Sequence, residues 1–140
     1  MITFLDLKKV NSRFSAEIIE NVKKVLNSGW YINGSFVDKF EKDFASYVGT
    51  RFCIGVGNGL DALTLILKAY NYPKGSEIIV PSNTYIATIL AIIANDLTPV
   101  FVEPSLETFN IDPKKIVSKI NTNTVAIMVV HLYGKSCDMR

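Results

Sequence analysis

The residues best suited to chemistry form a glycine-rich loop, Gly55-Val-Gly-Asn-Gly-Leu-Asp61, between a short apolar run and an amphipathic stretch. Glycines let the backbone turn tightly and approach a ligand with no Cβ in between. The first amides of a helix have no partner inside the helix and lie at the positive end of its dipole. We therefore expect the backbone N–H groups of Gly59, Leu60 and Asp61 to bind a phosphate. The loop alone is also compatible with a glycine-rich turn that binds nothing, because such turns are common between strands and helices.

Two well-known phosphate-binding patterns fit this loop poorly. The dinucleotide fingerprint needs G-x-G-x-x-G, with an acidic residue about 20 positions further on, after the next strand. Counted from Gly57, the third glycine is replaced by Ala62, which is an allowed variant, but the acidic residue is Glu77, which precedes the apolar run Ile78–Val80. This order disfavours a dinucleotide-binding oxidoreductase. No Gly-Lys-Ser/Thr follows the glycines, so the P-loop pattern is also unmatched.

Three further side chains have reactive groups. His131, the only histidine, directly follows the most apolar run of the chain, residues 124–130. The carboxyl ends of parallel strands are where ligands of open sheets bind, so His131 is a candidate ligand contact, with a structural role as the alternative. Cys53 and Cys137 are too few and too far apart for a disulfide framework or a zinc site. We therefore predict no metal site.

The hydrophobic pattern predicts an α/β fold that would hold these residues in place. Helical spacing predicts helices at 15–27 and 36–47, and alternating short elements follow. The predicted strands are 52–56, 78–80, 99–102 and 124–130, and the helices between them are 61–70, 84–94 and 113–120. Strands this apolar, separated by helices, indicate a parallel sheet with helices on both faces, here four strands joined by three right-handed crossovers. Because the most apolar strand lies almost at the end, we expect the chain to be truncated.

Composition narrows the class of protein. With 49% hydrophobic and 20% charged residues among 140, the chain is expected to fold rather than to be disordered. The net charge of +2 comes from scattered Lys and Arg residues without a basic tract, so we expect no nucleic-acid partner. The N-terminus does not resemble a signal peptide, because the acidic Asp6 comes before the apolar core that a signal peptide needs. The longest apolar stretch, 85–94, is too short to cross a bilayer. We therefore expect a cytoplasmic protein without a membrane partner.

A series of motifs carries a family resemblance over essentially the whole chain. In order they are Ser28–Gly34, Gly57–Leu63, Gly75–Pro81, Asn83–Thr88, Pro99–Glu103, Asn110–Pro113 and Val130–Gly134. In these motifs the sequence resembles the DegT/DnrJ/EryC1/StrS aminotransferases, which make amino sugars on nucleotide carriers. The resemblance implies the N-terminal part of a fold type I large domain that depends on pyridoxal 5'-phosphate (PLP), in a homodimer with active sites at the subunit interface. Residues 1–34 would form an N-terminal helix and an interface or substrate loop, and residues 35–140 the first part of the cofactor-binding domain.

The resemblance also implies roles for individual residues. The amides of Gly59, Leu60 and Asp61 would hold the cofactor phosphate. The ring of Tyr85 would stack on the pyridine ring, which offers it dispersion and offset packing. Packing of that ring at the start of a buried helix is the alternative for Tyr85.

Candidate substrate contacts come from two other segments. Trp30 and Tyr31 lie in a loop that the family places near the substrate or the partner subunit, although core or dimer contacts are equally open. His131 is the third candidate substrate contact, because it is predicted to lie at the carboxyl end of a strand.

The catalytic residues of the family have no counterpart in this sequence. The carboxylate that pairs with the pyridine nitrogen and the Schiff-base lysine are expected beyond Arg140, so no catalytic residue is predicted within the chain. Transamination needs that lysine as a covalent anchor and proton carrier. Residues 1–140 alone are therefore expected to be inactive, and a non-catalytic, truncated module is the alternative reading.

One position in the phosphate loop bears on the substrate. Leu60 stands where many family members have threonine. The leucine variant resembles the members that aminate carbon 3 of a thymidine-diphosphate 3-keto-6-deoxyhexose. The resemblance thus implies a nucleotide-linked keto sugar as substrate, with glutamate as the amino donor.

Overall fold

The computed structural model describes residues 4–139. It divides the chain into two compact units, Met1–Gly55 and Val56–Arg140, each of which is described by itself.

The first unit is helical. Its helices are α1 (Leu7–Ser12), α2 (Ser15–Ser28) and α3 (Ser35–Val48). Both longer helices end at a glycine in the left-handed conformation, Gly29 with φ 66° and Gly49 with φ 77°, which a side chain would disfavour. These two helices confirm the helical periodicity of the sequence.

The apolar faces of these helices are largely exposed. Ala45 is the only buried residue of α2 and α3. Along α2, Ile18, Val22 and Leu26 retain 48%, 51% and 59% of their accessible surface. Such a contiguous apolar stripe is typical of a surface that contacts other protein.

The predicted strand at residues 52–56 is wrong, because this segment forms no strand in the described structure. A strand needs a neighbouring strand to pair its backbone groups, and here side chains take them instead. The Gly55 N–H donates to Glu41 Oε1 at 2.6 Å, and the Phe52 carbonyl accepts from the Thr50 hydroxyl at 3.1 Å. The predicted four strands and three crossovers are thus reduced, among the described residues, to three strands and two crossovers.

The second unit contains the sheet. Its elements are α4 (Gly59–Tyr70), β1 (Glu77–Pro81), α5 (Ile86–Ile93), β2 (Thr98–Val102), α6 (Pro113–Ile116) and β3 (Thr124–Ile127), with short 3-10 turns at Val117–Lys119 and Leu132–Gly134. The three strands are parallel in the order β2-β1-β3, so β1 is central. The parallel sheet confirms the α/β fold class.

Both faces of β1 are buried. Ile78 and Val80 pack on one side in a cluster with residues of α4 and α5, including Leu67 and Ile92. Ile79 points to the other side, into a cluster that includes Val102, Ile111 and Cys137, against which Ile116 of α6 also packs. The three central side chains are 0% exposed, which confirms that helices cover the sheet on two sides.

The connections bring strand ends and helix starts to one edge of the sheet. The carboxyl ends of the three parallel strands, at Pro81, Val102 and Ile127, lie along one edge. Helix α5 begins five residues after β1 ends, so its first turn lies at that edge. Helix α4 ends seven residues before β1 begins and packs along α5, which places its first turn at the same carboxyl edge.

Candidate functional site

The glycine loop leads into α4 through a side-chain cap. Asn58 is the N-cap, with extended backbone (φ −164°, ψ 177°). Its Oδ1 accepts the Asp61 N–H at 3.0 Å, and its carbonyl accepts the Ala62 N–H at 3.1 Å. Asparagine is among the favoured residues at this position because its side chain satisfies an otherwise unpaired helix amide.

The three predicted phosphate donors are therefore not equivalent. Within residues 4–139, the N–H groups of Gly59 and Leu60 donate no hydrogen bond, whereas that of Asp61 is engaged by Asn58. Two amides are free for an anion, and the third becomes available only if the Asn58 side chain turns away. The N-terminus of a helix favours negative charge at these groups.

The loop has room for an anion at Gly59. A Cβ added at Gly59 would meet no atom within 4 Å, so open space lies beside this residue. A Cβ added at Gly57, in contrast, would lie 2.7 Å from Asp61 Oδ2. The residues fit a phosphate at Gly59 and Leu60, with one opposing feature, because the Asp61 carboxylate occupies the same positive helix end that a phosphate would use.

Asp61 is held by the residue that it helps to orient. The Asn58 Nδ2 donates to Asp61 Oδ2 at 3.0 Å, so the two side chains form a reciprocal pair. The sequence contained this information as an Asn-x-x-Asp spacing ahead of an apolar run, which is typical of helix starts. Sequence reasoning nevertheless missed Asn58 as a residue that affects the site.

Tyr85 lies at the first turn of α5, on the carboxyl edge of the sheet. It is the N-cap of the helix, with φ −68° and ψ 142°, and its side chain is 76% exposed. Within the described residues the ring is therefore not packed into the core of the second unit. The turn before it is fixed by the Thr84 hydroxyl, which donates to Thr88 Oγ1 at 2.8 Å. The ring is accessible for stacking on a flat ligand.

Trp30 and Tyr31 belong to the first unit. Each is 63% exposed, so neither is buried within the first unit. Their polar atoms are used locally, since Trp30 Nε1 donates to the Ile32 carbonyl at 2.7 Å and the Tyr31 hydroxyl donates to the Leu26 carbonyl at 3.2 Å. These bonds hold the loop after α2 while the ring faces stay accessible.

His131 lies four residues after β3, in the segment that continues from the carboxyl edge. Its Nδ1 accepts the backbone N–H of Cys137 at 3.0 Å. Asn110, only 4% exposed, donates through Nδ2 to the carbonyls of Lys135 and Ser136 at 3.1 and 3.0 Å. Cys137 and Asn110 thus fix the loop that carries His131, and sequence reasoning assigned neither of them a role.

The second unit brings three predicted site positions to one edge of the sheet. Gly59 begins α4, Tyr85 precedes α5, and His131 follows β3. Glu77, the acidic residue of the dinucleotide alternative, is the first residue of β1 at the opposite edge, where its Oε2 accepts from Asn121 Nδ2 at 2.7 Å. This placement argues against a ribose contact.

A surface groove lies apart from these positions. It is an open groove of about 750 Å³ between residues 105–114 and 136–139, and none of the predicted site residues lines it. No group of three or more His, Cys, Asp and Glu side chains among residues 4–139 has the arrangement of a metal site. No described helix is both long enough and apolar enough to cross a bilayer.

Comparison with known proteins assigns the family. The model of the DegT/DnrJ/EryC1/StrS aminotransferase family matches residues 12–140. The chain belongs to this family. It is 63% identical over 139 residues to the dTDP-3-amino-3,6-dideoxy-alpha-D-galactopyranose transaminase of Aneurinibacillus thermoaerophilus, covering 99% of this chain and 38% of that protein. It is 42% identical over 138 residues to the dTDP-3-amino-3,4,6-trideoxy-alpha-D-glucose transaminase of Streptomyces venezuelae, covering 99% of this chain and 36% of that protein.

Solved structures of family members confirm the fold. The chain superimposes on S. venezuelae DesV, solved in complex with a ketimine intermediate, with a TM-score of 0.94 and 42% identity over 99% of this chain and 37% of DesV. It matches NtdA from Bacillus subtilis, solved with the bound cofactor pyridoxamine phosphate (PMP), with a TM-score of 0.92 and 34% identity over 99% of this chain and 32% of NtdA. The family is PLP-dependent, and this chain spans between 32% and 38% of the length of these relatives.

Proposed function

We propose that the whole protein is a PLP-dependent aminotransferase that aminates a nucleotide-linked keto-deoxy sugar, with glutamate as the amino donor. The observation that carries the proposal is the pair of free amides, Gly59 and Leu60, on an open helix start at the carboxyl edge of a sheet in this family. The relative that is 63% identical is named for a dTDP-linked 3-amino-3,6-dideoxy sugar. It supports a dTDP-3-keto-6-deoxyhexose as the substrate.

The cofactor would be held from its phosphate and from one ring face. The N–H groups of Gly59 and Leu60 donate to phosphate oxygens, and the helix dipole of α4 favours the negative charge. The Asp61 amide joins them once Asn58 releases it, which costs the helix one cap bond. The exposed ring of Tyr85 packs against the pyridine.

The residues of this chain bind and orient, while the bound cofactor supplies the electron sink for transfer of an amino group. We propose that the lysine that attaches the cofactor, and the carboxylate that pairs with its ring nitrogen, come from outside residues 1–140. None of the lysines in this sequence lies in a context that matches the family lysine. Residues 1–140 by themselves would then bind the phosphate weakly and leave the amino group untransferred.

Substrate contacts would come from three exposed rings. Trp30 and Tyr31 present accessible faces on a loop whose polar atoms are already satisfied, so they can stack on a sugar or base without leaving a donor unpaired. His131 is exposed on a loop fixed by Asn110 and Cys137. Fixed rings lose little conformational entropy on binding.

We further propose a cytoplasmic homodimer, with residues 1–34 at the subunit or substrate interface and residues 35–140 as the first part of the cofactor-binding domain. The half-exposed stripe of Ile18, Val22 and Leu26 supports burial against other protein. Size-exclusion chromatography with light scattering would measure the oligomeric state. A monomer at micromolar concentration would contradict the homodimer.

The decisive assay uses the full-length protein with PLP, glutamate and a dTDP-3-keto-6-deoxyhexose generated in situ. Mass spectrometry should detect the dTDP-linked amino sugar, and the parallel reaction with the UDP-linked sugar tests the nucleotide preference. The control is Tyr85→Ala, which keeps the phosphate amides and should weaken cofactor retention by about three- to tenfold through lost ring packing. A protein that binds neither PLP nor PMP, and forms no amino sugar from any nucleotide-linked keto sugar, would refute the proposal.

A further inference from the structure

The hydrogen bond at His131 determines which ring nitrogen carries the proton. A backbone N–H can only donate, so the nitrogen that receives the Cys137 N–H at 3.0 Å must present a lone pair. Nδ1 of His131 is therefore unprotonated. A neutral imidazole carries its single proton on the other nitrogen, so Nε2 is the donor.

The donor that sets this tautomer is anchored in the protein core. Cys137 is 7% exposed and belongs to the buried cluster of Ile79, Val102 and Ile111. Its thiol also donates to the Val130 carbonyl at 3.2 Å, next to the histidine. The position of the Cys137 amide is thus determined by packing beneath the sheet rather than by solvent.

A second clamp holds the remainder of the loop. Asn110 donates to two consecutive carbonyls, those of Lys135 and Ser136, immediately before Cys137. The turn between His131 and Lys135 contains Tyr133 with φ 53°, a left-handed conformation that is uncommon for a residue with a large side chain. A backbone held in such a conformation persists only where its surroundings determine it, and such residues cluster at functional sites.

The outer nitrogen of the ring is available to a ligand. His131 is exposed, and within residues 4–139 its Nε2 atom has no hydrogen-bond partner. The residue lies in the segment that leaves the carboxyl end of β3, at the edge that also holds the start of α4 and the start of α5. One ring nitrogen is therefore committed to the fold and the other is free at the candidate site.

We propose that His131 binds the ligand as a neutral imidazole and donates its Nε2–H to an acceptor oxygen of a phosphorylated ligand, either the cofactor or the nucleotide moiety of the substrate. This inference rests on the proposed function, whose site it extends. A ring with Nε2 protonated and Nδ1 engaged has no free lone pair, so His131 binds and positions and does not act as a proton acceptor in this state.

The first test is the tautomer itself. Nitrogen-15 NMR of the full-length protein with labelled histidine distinguishes the two neutral tautomers and the imidazolium by their two-bond nitrogen–proton correlations. Subtraction of the His131→Asn spectrum identifies the signals of His131. The expected pattern is that of a protonated Nε2 and an unprotonated Nδ1 near neutral pH, and either of the other two patterns would overturn the proposal.

The second test separates the fold contact from the ligand contact. His131→Asn places an amide oxygen near the position of Nδ1, so it retains the acceptor for Cys137 and removes the outer donor. His131→Gln instead places an N–H near Nε2 and should restore part of the affinity. For His131→Asn we expect an unchanged thermal midpoint and about tenfold weaker binding of either PMP or thymidine diphosphate.

The two ligands identify the source of the acceptor oxygen. Weaker binding of PMP alone assigns the cofactor, and weaker binding of thymidine diphosphate alone assigns the substrate nucleotide. Wild-type affinity of His131→Asn for both would overturn the proposed contact. A wild-type protein that binds neither ligand would refute the proposed function as well, while the tautomer remains measurable by itself.

A measurement on the unmodified protein covers the case in which His131→Asn fails to fold. Titration of either ligand into the labelled wild type should shift the Nε2 resonance of His131 and leave Nδ1 bonded to Cys137. Binding of both ligands without any shift at Nε2 would overturn the proposal.

Discussion

Substitution of Gly59 by alanine should separate the stability of the fold from binding at the phosphate loop. A Cβ at this position meets no atom within 4 Å, and Gly59 lies outside the left-handed region, so the folded chain accommodates alanine without strain. At such compatible sites, glycine to alanine stabilises a protein by about 0.4–1 kcal/mol, chiefly because the unfolded chain loses freedom. At about 2–4 °C per kcal/mol for a chain of 150–250 residues, that increase raises the thermal midpoint by roughly 1–4 °C.

We expect the same methyl group to narrow the open space beside Gly59 and so to hinder the approach of a phosphate oxygen to its amide. Loss of one hydrogen bond to a charged group costs about 1.5–3 kcal/mol, which corresponds to a dissociation constant roughly 10- to 150-fold higher. The assay is thermal denaturation of the cofactor-free protein together with an equilibrium titration of the full-length protein with PMP, followed by cofactor fluorescence. The expected result is a variant that is more stable and binds PMP more weakly.

Gly75→Ala is the matched control. Its added Cβ also meets no atom within 4 Å, but φ at Gly75 is +81°, so alanine is strained by about 1–2 kcal/mol. Gly75 precedes β1 at the amino edge of the sheet, away from the candidate site. This variant should lose stability and retain its affinity for PMP. Wild-type affinity for PMP in Gly59→Ala, or destabilisation of that variant, would refute the assignment of the loop.

Three further predictions concern the cap, the core and one surface ion pair. Asn58→Ala should lower the free energy of unfolding by about 0.5–2 kcal/mol because it removes the cap of α4. The same variant should preserve or increase the affinity for PMP because the Asp61 N–H is released. Weaker binding of PMP would contradict a competition between the Asn58 cap and the anion for this amide. Ile79→Ala should cost about 2–5 kcal/mol in chemical denaturation because this side chain is 0% exposed, and a cost below 1 kcal/mol would contradict burial on the second face of the sheet. The hydrogen bond from Lys74 to Asp96, together with the charge of that carboxylate, raises the pKa of Lys74 above its ordinary 10.5. The ion pair therefore stabilises the fold below pH 10.5, and this contribution disappears as the pH rises through the raised pKa. Denaturation of wild type and Lys74→Met should show a small difference in stability at about pH 8, and added salt should reduce this difference. A difference that persists at a pH above the raised pKa of Lys74 would refute the stabilising role of the ion pair.

The sequence predicted the elements that depend on local pattern and missed those that depend on distant partners. Helix α2 was predicted at 15–27 and is observed at Ser15–Ser28, because apolar periodicity and a terminal glycine are both local features. The run at 52–56 is equally apolar, but a strand exists only where another strand pairs with it, and here the Glu41 carboxylate takes the Gly55 amide. Periodicity carries no information about that contact across fourteen positions of the chain.

The same distinction holds at the candidate site. The positions of Gly59 and His131 followed from their place relative to a helix and a strand, which the pattern of the sequence indicates. The side-chain geometry did not follow, since Asn58 takes one of the three predicted amides and Cys137 takes one of the two nitrogens of His131. Both effects depend on rotamers and turns that composition and spacing leave open.

The buried side-chain amide of Asn110 holds the carboxyl edge of the sheet in place at a cost in free energy of folding. Its Oδ1 has no hydrogen-bond partner among the described residues, and an unsatisfied buried acceptor costs about 1–3 kcal/mol. The two bonds from its Nδ2 to Lys135 and Ser136 offset that cost by about 1–3 kcal/mol in total. A leucine would avoid the unsatisfied oxygen but would release both carbonyls, and with them the loop that presents His131. The polar residue therefore adds little net stability, and its main consequence is a defined geometry at the carboxyl edge of the sheet.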